Sequence, residues 1–115
     1  MRIIVYGSLR RKQGNSHWMT NAQWLGDYKV EGYELYNLGH YPGVIPGEGT
    51  IEGEVYRIDA MTLGELDALR TKGGEYKRQL VSTPYGSAWV YIYQRSVAGR
   101  PQIASGDWLD RSDNP

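Results

Sequence analysis

The order of elements in this sequence predicts an α+β domain whose core is a small, twisted, mostly antiparallel β-barrel flanked by short helices. Strand-like runs of β-branched and aromatic residues outnumber helical patterns, of which there are two short ones. Glycines recur inside those runs, where they bulge and bend a sheet enough to curl it. With 115 residues and 40% hydrophobic side chains the chain closes one core, and its 15 Gly and five Pro are scattered, so no linker, repeat or second domain is expected in residues 1–115.

Arg2 to Tyr6 is a short apolar run closed by Gly7-Ser8, the pattern of a strand buried on both faces entering a tight turn. Asn15 or Ser16 is placed to cap a helix through His17, Trp18, Met19 and Ala22 that stops at Gly26. Asp27 to Leu38 alternates imperfectly around Gly32, which predicts a bulged strand. Gly39 to Gly49 holds two Pro and four Gly and is expected to be a loop. Ile51 to Ile58 is a partly amphipathic strand interrupted by Gly53. Thr62 and Glu65 form a capping box, with Leu63, Leu66 and Leu69 as the apolar stripe of a helix that ends near Arg70 before Lys72-Gly73-Gly74. Tyr76 to Thr83 and Ser87 to Gln94 form a hairpin about Pro84-Tyr85-Gly86, and after Gly99 the pattern fades.

Thirteen Lys and Arg balance thirteen Asp and Glu, a net charge of zero that argues against a nucleic-acid partner or an anionic membrane surface. The absence of Cys excludes a disulfide framework, a thiol nucleophile and an iron–sulfur cluster. No apolar run has the length of a signal-peptide core or a membrane span, so a cytoplasmic location is expected. Ten Tyr and four Trp without any Phe give the aromatic work to rings with a polar handle, which suit a half-wet cavity as well as a core.

Tyr6-Gly7-Ser8-Leu9, straight after a buried strand, can leave consecutive backbone N–H groups pointing into a hollow, with Gly7 free to adopt positive φ, a geometry that binds a carboxylate or an oxyanion; the plainer reading is a strand-to-loop turn. Arg10, Arg11 and Lys12 form a basic tripeptide that reads best as a solvated charge run. On an alternating strand Tyr76 and Arg78 share a face, as do Tyr91 and Tyr93 on another. His17 and His40 lie in different elements with no carboxylate arrangement around them, so neither a metal nor a cofactor is expected.

Tyr6-Gly7-Ser8-Leu9 combines with Tyr41-Pro42-Gly43, Gly53-Glu54-Val55-Tyr56, Leu66-Asp67 and Tyr76-Lys77-Arg78 in an ordered set. From Ile3 to about Trp108 the chain resembles the γ-glutamylcyclotransferase-like superfamily, and in particular its small bacterial members. The resemblance implies a small twisted barrel with short helices, and conversion of a γ-glutamyl amide into 5-oxoproline and a free amine. In that reaction the substrate's own α-amino group attacks its γ-carbonyl, so neither a protein nucleophile nor a metal is required. It also implies that Tyr6, Gly7, Ser8 and Leu9 hold the γ-glutamyl moiety. A glutamate that follows Leu-Asp after two intervening residues, six before a Tyr and eight before an Arg, serves as general base, a role worth about 10²- to 10⁴-fold in rate.

At that position this chain has Arg70, with Tyr76 and Arg78 at the matching offsets. Arginine stays protonated and cannot accept a proton. Glu75, in the glycine-rich loop beside Tyr76, is the nearest carboxylate in sequence to take the base role, with a solvated loop position as its plainer reading. Arg70 either pairs with Asp67 one turn back at the helix end or binds a carboxylate of the ligand bidentately. Two functions follow: an enzyme with Glu75 as displaced base and Tyr6 to Leu9, Arg70, Tyr76 and Arg78 as its binding residues, or a non-catalytic module that kept the cavity and lost the base. The expected partner is a small γ-glutamyl amide, and the protein is expected to be a monomer or weak homodimer.

Overall fold

The structure is a computed structural model that describes residues 1–7, 10 and 21–110. A five-stranded sheet is made of β1 (Arg2–Val5), β2 (Gln23–Asn37), β3 (Pro42–Arg57), β4 (Tyr76–Val81) and β5 (Ala88–Tyr93) in the order β2-β3-β1-β5-β4, with helix α1 (Ala60–Arg70) and one 3₁₀ turn (Lys72–Gly74) between β3 and β4. All pairings are antiparallel except that of β1 with β5, where Ile3 faces Trp89 in parallel. The α+β class and the mostly antiparallel sheet agree with expectation; the closed barrel does not. The sheet ends on two edges, β2 and β4, and is twisted and bent without closing.

β1 is central, and its Ile3, Ile4 and Val5 are buried because both faces of the sheet are covered. Ile4 joins a cluster with Val30, Leu35, Val44, Ile51, Val55, Val90, Ile103 and Trp108. Ile3 and Val5 face the other way, onto Ile58, Leu63 and Leu66 of the helix side, together with Tyr56, Tyr76 and Tyr91. The period-2 alternation of a strand thus divides one short run between two cores.

β2 and β3 form a long antiparallel hairpin with register shifts between Trp24 and Gly26 and between Glu31 and Tyr33. The second places a bulge at Gly32, φ 91°, as the sequence predicts. Strand from Gln23 onward replaces the C-terminal end of the helix expected up to Gly26, and Asn21 and Ala22 before it are not helical either; the earlier part of that expected helix, with His17, lies outside the described residues. The loop expected over Gly39 to Gly49 is also overturned, for β3 begins at Pro42. Pro42 opens the strand and Pro46 pairs with Tyr33 beside the register shift, two places where a missing N–H costs the ladder least.

Helix α1 is capped by Asp59, whose Oδ1 accepts from the Thr62 N–H at 2.7 Å, so the cap lies three residues before the expected one. Thr62, Leu63 and Leu66 are buried, but Leu69 is exposed. Six residues at 100° each leave Leu69 roughly 120° away from Leu63 around the helix, off the buried stripe. β4 and β5 form the expected hairpin in tighter bounds, with Tyr76 opposite Tyr93 and Val81 opposite Ala88. No helix among the described residues is long and apolar enough to cross a membrane.

Candidate functional site

The C-terminal end of β1 opens into a small hollow lined by Ile4, Val5, Tyr6, Gly7, Pro42, Arg70, Tyr76 and Tyr91. Its volume is about 30 Å³, room for a water or two, so a larger ligand would seat only one end in it. Each wall comes from a different element. The central strand β1 delivers Ile4 and Val5 and the residues just past its end Tyr6 and Gly7, the start of β3 delivers Pro42, the last residue of α1 delivers Arg70, and β4 and β5 deliver Tyr76 and Tyr91. A side chain on residue 7 is excluded by close packing: a Cβ there would lie 2.5 Å from Pro42 Cγ and 2.9 Å from its Cδ. Gly7 is not among the glycines with positive φ, so it is closeness to Pro42, and not a left-handed backbone, that requires glycine. The Arg10 N–H donates to the Gly7 carbonyl at 3.0 Å. Ser8 and Leu9 themselves lie outside the described residues.

The phenols around the hollow have all spent their protons on the protein. Tyr6 donates to the Tyr91 carbonyl at 2.7 Å, Tyr76 to the Pro42 carbonyl at 2.9 Å and Tyr91 to Asp67 Oδ1 at 2.7 Å. Burial is the main force raising the pKa of each, with the Asp67 hydrogen bond and charge adding to it at Tyr91, and the Tyr6 phenol adding to it at Tyr76. All three stay protonated at neutral pH and are therefore unsuited to the role of base. The Arg70 guanidinium lowers all three pKa values against that trend, which puts its charge at the centre of the group.

Arg70 itself is half-buried, and among the described residues its guanidinium makes no hydrogen bond or ion pair. The expected alternative, pairing with Asp67, does not occur, because Asp67 is committed elsewhere. Its Oδ1 accepts from Tyr91, and its Oδ2 lies 3.2 Å from Arg78. Arg78 is accordingly not part of the hollow: it pairs with Asp67 and sits with Cζ 4.5 Å from the centroid of the Trp89 ring. Together Asp67, Tyr91 and Arg78 fasten the last turn of α1 to the β4–β5 hairpin, and so set where Arg70 projects. Tyr93 packs edge-on against Tyr76, ring centroids 5.4 Å apart.

Glu75 is half-buried at the end of the 3₁₀ turn and does not line the hollow. It stands near it, since its charge contributes to the upward shift of Tyr76. The hollow itself thus presents one cation and no carboxylate among the described residues. His40 is exposed.

Sequence reasoning missed the ion network beneath the turn. Arg10 is 8% exposed, with Nε 3.2 Å from Glu54 Oε2 and Nη1 2.8 Å from Asp107 Oδ1, and the Tyr56 hydroxyl donates to Glu54 Oε1 at 2.8 Å. Arg10 is therefore a buried structural cation and not part of a solvated run; Arg11 and Lys12 lie outside the described residues. Glu54 is the signal that could have found it, a carboxylate inside a strand that pairs with buried Val5.

A family model described as "Gamma-glutamyl cyclotransferase, AIG2-like" matches residues 3–110. The chain is 73% identical to the gamma-glutamylcyclotransferase family protein YtfP of Escherichia coli K12 over 111 residues, 96% of this chain and 98% of the relative. The solution structure of Escherichia coli ytfP superimposes with a TM-score of 0.83 at 72% identity, covering 97% of this chain and 99% of that one. The crystal structure of PH0828 from Pyrococcus horikoshii gives 0.85 at 30% identity, covering 99% and 98%. A shared sheet, a model match spanning nearly every residue and high identity along the whole length place the chain in the gamma-glutamyl cyclotransferase, AIG2-like family.

Proposed function

We propose that this protein binds a γ-glutamyl amide at the Gly7–Arg10 turn and the adjoining hollow, and cyclises it to 5-oxoproline with release of the free amine. The observation that carries the reading is an Arg70 guanidinium with no hydrogen bond or ion pair among the described residues, in a hollow it shares with Gly7, where only glycine fits against Pro42. The α-amine nitrogen bonds to the γ-carbon, the γ-oxygen takes up negative charge that N–H groups of the turn stabilise, and the amide C–N bond breaks. The proton lost by the attacking amine passes through Glu75 to the departing amine. Orientation supplies much of the rate, since both reacting groups belong to one molecule held in a bent form. The setting is cytoplasmic, the partner a small molecule, and the working unit a monomer or weak homodimer.

The test is 5-oxoproline release from a panel of γ-glutamyl amides. Wild type is expected to exceed the uncatalysed rate, and Glu75→Gln to lose roughly 10²-fold or more in kcat with little change in binding. Full activity in Glu75→Gln would remove Glu75 from the mechanism. A second reading, a binder without chemistry, is favoured by the position of Glu75 outside the hollow. It predicts tight binding, no release, and a gain of release in Arg70→Glu.

A further inference from the structure

At the other end of β1, away from the hollow, three strands bring hydrogen-bond donors into one row. Arg2 pairs directly with Arg57 across β1 and β3, and Arg57 with Gln23 across β3 and β2, so the three side chains share one face of the sheet. Like charges directly opposite one another on a sheet, with Cβ atoms about 5 Å apart, repel. Among the described residues no carboxylate answers them: neither guanidinium has an ion pair, and Asp59, two residues beyond Arg57, gives its Oδ1 to the Thr62 N–H. The acceptor in the row, Gln23 Oε1, takes Arg57 Nη1 at 3.5 Å, which leaves the Gln23 amide as a further donor. Arg2 is held by packing. It is half-buried, its Nε is buried without a partner, and its guanidinium lies on the backbone of Gly86, where an added Cβ would come within 2.7 Å of Nη1 and 2.8 Å of Cζ and displace it. That turn is closed in its own right, Thr83 and Gly86 exchanging backbone hydrogen bonds at 3.2 and 3.0 Å.

We infer that this row is an anion site and that it takes a phosphate group, bridged between the Arg2 and Arg57 guanidiniums with the Gln23 amide beside it. Two positive charges on neighbouring strands, in a donor-rich row whose acceptor is already engaged, match a dianion that presents several acceptor oxygens. A single carboxylate answers only one of the two guanidiniums. The bound dianion also removes the repulsion that the Arg2–Arg57 pairing otherwise carries, and ties β1 and β3 together beside the β4–β5 turn. The four residues of β1 span roughly 13 Å, so the site is separate from the hollow and does not depend on what the hollow binds.

Titration of the full, isotopically labelled chain with inorganic phosphate at constant ionic strength tests this, read at the arginine Nε–H and backbone amide resonances. Saturating shifts are expected at the Nε–H groups of Arg2 and Arg57 and at the Gly86 amide, and acetate at the same concentrations is expected to give none that saturate. Arg2→Gln and Arg57→Gln are each expected to weaken phosphate binding about tenfold or more, the loss of a charge-assisted contact. Arg57 is exposed, so its variant keeps the test open if Arg2→Gln disturbs the fold. Methyl phosphate separates two sources of the group: binding as tight as that of inorganic phosphate admits the phosphoryl end of a larger small molecule, and binding of inorganic phosphate alone restricts the site to the free ion, and either result sustains it. Shifts that fail to saturate, that acetate reproduces, that survive undiminished in Arg57→Gln, or that are confined to Gly7 and Arg70 would overturn the inference.

Discussion

Replacing Gly106 by alanine is expected to be the most damaging single-methyl change in this fold. Gly106 has φ 70°, a left-handed backbone that costs an L-residue roughly 1–2 kcal/mol. The added Cβ would lie 2.0 Å from the Thr50 carbonyl oxygen and 3.2 Å from the Ile51 Cα, so backbone meets backbone and no side chain can give way. The same residue latches the C-terminal segment to β3: its carbonyl accepts from the Glu52 N–H at 2.8 Å and its own N–H donates to Ile103 at 2.9 Å. If the segment lifts to relieve the clash, Ile103 and Trp108 leave the core, and each contributes roughly 2 kcal/mol of burial. A loss of about 4 kcal/mol or more is expected, a large part of the ~5–15 kcal/mol that holds an ordinary domain. Urea unfolding followed by tryptophan emission reads it directly, and an unchanged midpoint would refute the latch.

Glu54→Ala is expected to come next. Glu54 is 2% exposed and faces Arg10, and removal of one partner from a buried pair costs about 3–5 kcal/mol because the other charge is left in a poor solvent. Asp107 still neutralises Arg10 in part, so the lower end of that range is expected, a fall of roughly 10 °C in Tm. Arg10→Met should cost a similar amount, and a double-mutant cycle should return a coupling well above the few tenths of a kcal/mol that independent sites show. The pair also anchors the residue whose N–H closes the turn on Gly7, so both variants should weaken ligand binding beyond their effect on the folded fraction. Additive effects in the cycle would show that the two residues act separately.

Much of this architecture was legible in the sequence where local pattern and tertiary environment agree. Ile3 to Val5 reads as a doubly buried strand and is one, and Gly32 reads as a bulge and is one. Both follow from backbone and side-chain periods that need no distant partner. The stretch from Pro42 to Gly49 was not legible, since its turn-forming composition is overruled by pairing with β2, a long-range interaction that single residues do not encode. Barrel closure was over-read for a related reason: glycine bulges license curvature, but closure depends on whether β2 and β4 meet, and they do not.

The candidate site was legible in part. Tyr6, Gly7, Arg70 and Tyr76 do meet around one hollow, and Tyr91 completes it. Arg78 shares a strand face with Tyr76, but strand period fixes only a side chain's direction, and the nearer Asp67 carboxylate and Trp89 ring capture it. Arg10 was misread because a run of basic residues ordinarily faces water. Only the fold shows that Glu54 waits inside for the first of them.

The claim at the centre of this reading is that the ligand site is the hollow at the end of β1. Titrating isotopically labelled protein with γ-glutamyl methylamide while recording backbone amide and arginine Nε–H resonances tests it most directly. The largest shifts are expected at Gly7, Arg10 and the Arg70 side chain, with smaller ones at Tyr76 and Tyr91. Shifts that instead centre on the outer β4–β5 face around Lys77, Gln79 and Arg95, with Gly7 and Arg70 unmoved, would contradict it.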